Sequence, residues 1–272
     1  MREQLTEEIP CNRATFSPRL FCEVARNQNL GRSKYNRFML DGVIGVAAAG
    51  ALFAAGYQSM APTGQWFGQT FAGVGPGSKN LALTYDDGPN DPHTLRLLEL
   101  LAKHDVKATF FLIGRYVEVR PDIVRDIVAA GHTVGNHTST HPNLIFVSPS
   151  ETRNELERCS TTIEQATGTR VKLFRPPFGG RLPHTLQVAR SLQLQPVMWN
   201  VTGWDWNAPP AQEIEQNVAK QIRGGNVILL HDGGHKAMGA DRGQTVLATE
   251  QIILAQKARG YSFVTIDEMQ GQ

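Results

Sequence analysis

Two histidines stand four residues apart in His137-Thr-Ser-Thr-His141. On a helical turn, positions i and i+4 share one face. Two imidazoles and a carboxylate suit a zinc-like ion and leave open positions for water and substrate. An isolated pair of this kind is commonly two surface histidines. Here carboxylates are available in Thr84-Tyr-Asp-Asp-Gly-Pro89. As a solvated turn, Asp86 and Asp87 would repel each other, and Asp-Gly-Pro is ordinary turn chemistry. Beside a divalent cation the repulsion is relieved. One carboxylate can then bind metal while its neighbour accepts a proton from water.

Three further segments carry usable groups. Arg175-Pro-Pro-Phe-Gly179 places a guanidinium at a rigid corner, where it can hold a carboxylate bidentately. The Phe178 backbone N–H can face a developing oxyanion. His231 ends the apolar run Val227-Ile-Leu-Leu230, as a packed core residue or as a general acid with an acidic partner. Asp205 and Asp232 are both candidates for that partner. Leu229 is a candidate pocket lining. Trp204 and Trp206 suit stacking on a sugar ring or packing of a loop. His93, His104, His132, His184 and His235 lack a partner at ligand spacing and read as structural or solvated, with His235 first among them to touch the site. No glycine-rich phosphate loop, nucleophile elbow or catalytic cysteine context occurs.

These side chains need a scaffold to bring them together. Residues 81–85, 108–113, 133–136, 172–175, 196–199, 226–230 and 261–265 read as seven strands. Helical patterns follow the first six, at 94–104, 121–130, 148–167, 183–192, 211–223 and 245–259. Pro121 and Gly131 mark a helix start and stop. Repeated βα units imply a parallel sheet with helices outside, and seven favour a barrel. Barrel chemistry sits on loops at the C-terminal ends of strands. Asp86, Asp87, His137, His141, Arg175, Trp204, Asp205, His231 and Asp232 all fall at or after strand ends.

Composition agrees with a large folded domain. The chain has 272 residues, 41% apolar and 19% charged, with net charge +2. Disorder, a collagen-like repeat and a disulfide scaffold are excluded, the last because only three cysteines occur. The charge is concentrated in the first 37 residues, which hold seven Lys/Arg against four acids. The body is left at −1, so attraction to nucleic acid is not supported.

The N-terminal region divides into three. Residues 1–37 form a basic tail. Residues 38–57 read as a signal or anchor, built on the apolar run 43–55 after Arg32, Lys34 and Arg37. The positive flank predicts the tail inside the cell and the body outside. An uncleaved anchor or an early start codon fits the long tail better than a cleaved signal. A buried Ala/Gly-rich helix is the alternative. Cys11 and Cys22 then lie inside, and Cys159 is the single exported thiol. Residues 58–79, rich in Gly, Pro, Ser and Gln, read as a linker. Residues 80–272 form the body.

From Leu81 to Asp267 the chain resembles the polysaccharide deacetylase family, the NodB homology domain or carbohydrate esterase family 4. Five blocks occur in the family's order: 84–89, 137–141, 175–178, 204–206 and 229–231. The resemblance implies a distorted (β/α)7 barrel and metal-dependent deacetylation of a sugar polymer. It implies Asp86 as base, Asp87, His137 and His141 as metal ligands, Arg175 as the group orienting Asp86, and His231 as acid. It also implies a divalent metal, foremost Zn2+, and Leu229 and Trp204 lining the acetyl pocket. Two positions depart from the pattern. Thr202 stands where the fourth block usually has its first Asp, so the partner of His231 is missing or replaced by Asp205. Phe178 stands where Tyr is frequent.

The expected reaction is attack of metal-bound water on an N-acetyl carbonyl of peptidoglycan, a chitin-like polymer or an exopolysaccharide. Two competing readings are a hydrolase of a small cyclic imide or ureide and a sugar-binding module without turnover. The oligomeric state is not legible in the residues.

Overall fold

The computed structural model describes residues 18–271. Residues 1–17, the first part of the basic tail with Cys11, lie outside the described residues, as does the Cys22 side chain. The first helix, α1, runs Pro18–Met60. Within it Met39–Met60 spans 22 residues with mean hydropathy 1.7, long and apolar enough to cross a membrane. Residues 1–55 and 56–272 form separate units.

The second unit alternates strand and helix. In chain order it contains β1 (Asn80–Gly88), α2 (His93–Lys103), β2 (Thr109–Leu112), α3 (Gly114–Val119), α4 (Pro121–Ala129) and β3 (Thr133–Asn136). Then come α5 (Pro149–Thr167), β4 (Leu173–Phe174), α6 (Pro183–Ser191), β5 (Gln195–Pro196) and β6 (Val201–Thr202). The last elements are α7 (Ala211–Gln221), β7 (Val227–His231), α8 (Gly243–Ala258), β8 (Ser262–Phe263) and α9 (Ile266–Gln270). The strands are parallel in the order β5-β4-β3-β2-β1-β7-β6, with β8 beside the start of β1. This is the expected distorted (β/α)7 barrel.

The fifth strand of the sequence reading is split. The stretch 195–202 pairs with β4 at its start and with β7 at its end, so it joins the two sides of the sheet. Four residues intervene, and residues before β1 fill in there. Phe71 bridges Val197 and Gly73 bridges Asn226. Residues 58–79, read as a linker, are thus packed on the barrel. Arg181 is buried and donates to the carbonyls of Ala61 (2.8 Å), Gly64 (2.6 Å) and Gly179 (2.9 Å). Gly73 is required there, because at its φ of 126° a Cβ would collide with the Gly225 carbonyl.

Two apolar layers follow from strand alternation. On β1, Leu81, Leu83 and Tyr85 point outward to the larger core under the helices. Ala82 points inward to a smaller core with Phe111, Leu173, Val227, Ile266 and Met269. Each buried large side chain contributes about 1.5–3 kcal/mol relative to exposure. The α9 residues Ile266 and Met269 belong to this inner core. Above it the barrel interior becomes polar, beginning with Thr84.

Candidate active site

Strand alternation alone would send Asp86 inward and Asp87 outward. The register of β1 with β2 slips between Asp86 and Gly88, and Asp87 adopts φ 74°. That bulge turns both carboxylates into one cavity, where each is buried.

The two histidines do not share a helical turn. Residues 137–141 form a bent loop in which Thr138 and His141 have φ near 66° and 65°. The side chains of its neighbours hold it open. Asn136 accepts from the Thr138 amide (2.8 Å) and donates to α5 at Leu156 O and Ser160 Oγ. Glu155 of α5 accepts from the Thr140 amide (2.7 Å) and hydroxyl (2.8 Å). His141 N donates to Thr138 Oγ1 at 3.0 Å.

This loop delivers three ligand atoms to one point. Oxygen and nitrogen donors of Asp87, His137 and His141 lie within 4.8 Å of one another, all buried. His137 Nδ1 donates to the Arg175 carbonyl (2.8 Å), which leaves its Nε2 lone pair free. Burial lowers the His137 pKa to about 4, so the ring is neutral at pH 7. Burial opposes a charge on Asp87, but His141, His235 and their neighbours hold its carboxyl well below the usual range. Asp87 Oδ1 is buried without a hydrogen-bond partner, 3.2 Å from His141 Nε2 and 3.6 Å from His137 Nε2. An orphaned carboxylate oxygen facing two imidazole nitrogens fits a divalent cation.

Asp86 is held from the other side. Arg175 is fully buried and donates through Nη1 to Asp86 Oδ1 (2.7 Å) and Thr84 Oγ1 (2.8 Å). Its Nε and Nη2 reach the carbonyls of Val197 and Met198, each at 3.3 Å, and its plane lies over Phe111. One nitrogen, rather than a bidentate fork, therefore touches Asp86. The second Asp86 oxygen is 3.7 Å from His137 Nε2.

His231 pairs with Asp205 and not with Asp232. Its Nδ1 lies 2.8 Å from Asp205 Oδ1, and its backbone amide donates to Asp205 Oδ2 at 2.7 Å. Burial lowers the imidazole pKa, but the Asp205 charge and hydrogen bond prevail and raise it to about 9. Thr202 leaves no gap in acidity, because Asp205 supplies it. Asp232 accepts instead from Thr94, and burial raises its pKa to about 7.

Asp86, Asp87, His137, His141 and His231 line one cavity of about 770 Å3. Leu229 and Phe178 line it as well. Phe178 has φ 57°, half exposed, with its ring 4.7 Å from His141. Trp206 lines the cavity, 5.6 Å from the His231 ring, whereas Trp204 packs edge-on against Trp206 and is not among the lining residues. The loop 234–242 forms the remaining wall. Its His235 stacks on His141 at 4.8 Å, with Nδ1 3.8 Å from Asp87 Oδ2. His235, the unpaired histidine expected first to touch the site, lines the cavity. No spacing pointed to the wall, which Asn90 and Tyr116 fasten from distant elements.

Residues 73–197 match the family profile described as polysaccharide deacetylase. A peptidoglycan-N-acetylglucosamine deacetylase of Bacillus cereus is 39% identical over 202 residues, covering 73% of this chain and 71% of its own. The chain belongs to the polysaccharide deacetylase family. A chitooligosaccharide deacetylase of Bradyrhizobium is 36% identical, covering 71% of this chain and 91% of its own. Among solved structures, a peptidoglycan N-acetylglucosamine deacetylase complex superposes with TM-score 0.69 at 37% identity, over 74% of this chain and 91% of that one. A carbohydrate esterase family 4 pseudoenzyme from Bacillus anthracis gives the same TM-score at 33% identity, over 74% and 68%. The family's reaction is metal-dependent removal of acetyl groups from polysaccharides. Because a pseudoenzyme shares the fold, side chains rather than topology must carry the case for turnover.

Proposed function

We propose that this chain removes N-acetyl groups from an amino-sugar polymer of the peptidoglycan or chitin type, with zinc, outside the membrane. Asp87, His137 and His141 hold the cation. When bound, it supplies Lewis acidity to water and to the acetyl carbonyl. Asp86 takes the proton of the attacking water, and Arg175 keeps that carboxylate aimed. His231 passes its Nε2 proton to the departing nitrogen while Asp205 fixes Nδ1. The Phe178 amide is assigned the oxyanion. Leu229 and Trp206 border the acetyl group, and exposed Trp204 offers a face to a neighbouring sugar. Acetate and a free amine result.

One observation carries this reading. A carboxylate paired to Arg175 and an imidazole paired to Asp205 open on the same cavity as the Asp-His-His cluster. That supplies a proton acceptor and a proton donor around one cation, as amide hydrolysis requires. Two imidazoles and a carboxylate favour zinc. The apolar helix 39–60 and relatives named for cell-wall and chitin-type glycans support an exported, tethered body.

Acetate release from chitin oligomers and from peptidoglycan tests the reading, with and without chelator. Release that zinc restores after chelation is expected. Glycan binding without release would place the chain with the pseudoenzyme instead.

A further inference from the structure

The Asp205 carboxylate has a third donor that the reaction does not consume. Thr245, in the first turn of α8, donates its hydroxyl to Asp205 Oδ2 at 2.9 Å. The same oxygen accepts the His231 amide, and the other accepts His231 Nδ1. Asp205 itself sits on a 3-10 turn, Asp205–Asn207, between two residues of positive φ, Trp204 and Ala208. Such a turn has no helix or ladder of its own to fix the carboxylate. Its backbone carbonyl is steadied by Arg242 Nη1 at 3.3 Å, one residue before α8.

Thr245 is in turn fixed from the core. Its carbonyl accepts the Thr249 hydroxyl at 2.9 Å, and Thr249 Oγ1 lies 3.0 Å from the Tyr85 hydroxyl. Thr249 spends its proton on that carbonyl, so Tyr85 donates to Thr249. Tyr85, Thr245 and Thr249 are all buried. Tyr85 lies directly before Asp86 on β1. Packing on the outer face of that strand thereby reaches the carboxylate behind His231.

We propose that Thr245 is a positioning residue for the proton donor, locking the Asp205 carboxylate so that His231 Nε2 stays aimed at the leaving nitrogen. The inference rests on the deacetylase reading and adds a residue that touches neither substrate nor cation. Without its hydroxyl, a buried carboxylate oxygen keeps one donor instead of two and gains freedom to rotate. Loss should appear where a proton is needed and vanish where it is not.

Two substrates separate these cases. An N-acetyl sugar must leave as an amine and needs a proton from His231. 4-Nitrophenyl acetate leaves as a stabilised phenolate and needs none. In the zinc-loaded full chain, Thr245→Val is expected to lower kcat on chitopentaose about 10-fold, less than the roughly 100-fold at the low end of general-acid effects because His231 is misaimed and not removed. KM and the aryl ester rate should stay within about two-fold, the scatter of a lost neutral contact. Thr245→Ser keeps the hydroxyl and should restore the wild-type ratio of the two rates, while Thr245→Ala should match Thr245→Val. The ratio cancels any loss of folded fraction. Equal losses on both substrates, or none on either, would overturn the inference alone. A wild-type protein that turns over neither substrate would overturn it together with the deacetylase reading.

Discussion

His231 and Asp205 meet twice: imidazole Nδ1 lies 2.8 Å from one carboxylate oxygen, and the His231 backbone amide donates to the other at 2.7 Å. The double contact fixes the ring tautomer and orientation. It also reverses the effect of burial and raises the pKa to about 9.

The pH profile follows. A proton donor works below its pKa, so deacetylation should persist through pH 8 and fall as pH rises through about 9. A bound cation cancels part of the attraction from Asp87, so the limb lies at or below that value. Asp205→Asn removes the principal raising cause and leaves burial dominant. Its alkaline limb should move down by at least about one unit, or 1.4 kcal/mol, in kcat measured from pH 5 to 10. An unmoved limb would detach Asp205 from proton donation.

Arg175 offers a second test. Arg175→Met leaves Asp86 buried beside no cationic side chain of its own. Breaking a buried pair costs about 3–5 kcal/mol. The variant should lose at least about 100-fold in kcat, the scale of a misplaced catalytic group, and unfold at lower denaturant. Wild-type turnover by Arg175→Met would remove Asp86 from the role of base.

Cation binding can be read without turnover. Titrating zinc into chelator-treated protein should give one site by calorimetry and raise the Tm. At a thousand-fold excess over Kd the gain is about 4 kcal/mol. Asp87→Ala and His141→Ala should lose both signals. Glu155→Ala, which frees the Thr140 amide, should weaken binding about 10–100-fold, the cost typical of a group orienting a ligand. A Glu155 variant with full affinity would show that the loop holds its shape unaided.

The stretch before β1 makes a fourth case. A chain starting at Gly56 keeps Phe71, Gly73 and the Arg181 acceptors Ala61 and Gly64, whereas one starting at Asn80 loses these four. The first should fold cooperatively and the second should not. Arg181→Met, which takes the side-chain donor from the buried Gly64 and Gly179 carbonyls, should cost about 3 kcal/mol in urea melts. Equal stability of the two truncations would return residues 58–79 to the status of a linker.

The sequence by itself determined what depends on local pattern. Apolar alternation and 3.6-residue stripes report neighbours a few residues away, so the long strands β1, β2, β3 and β7 and the helices α2, α4, α5 and α8 were legible. The chemical types at strand ends were legible too, because only carboxylates, imidazoles and a guanidinium can do such work. Some of the shorter elements were not. The six-residue α3, the two-residue β6 and the five-residue α9 carry too little periodicity to stand out from loops.

Tertiary structure decided the rest. Asp205 and Asp232 were equal candidates for His231 until the barrel brought the 3-10 turn after β6 against the end of β7. Asp87 entered the cavity only through a bulge, which period-2 alternation forbids. Trp206 displaced Trp204 at the cavity wall because a left-handed Trp204 reorients the next turn. Phe71 and Gly73 became part of the barrel only where a split strand left room for them. Each of these outcomes is set by closure between segments distant along the chain, and no local pattern encodes a distance of that kind.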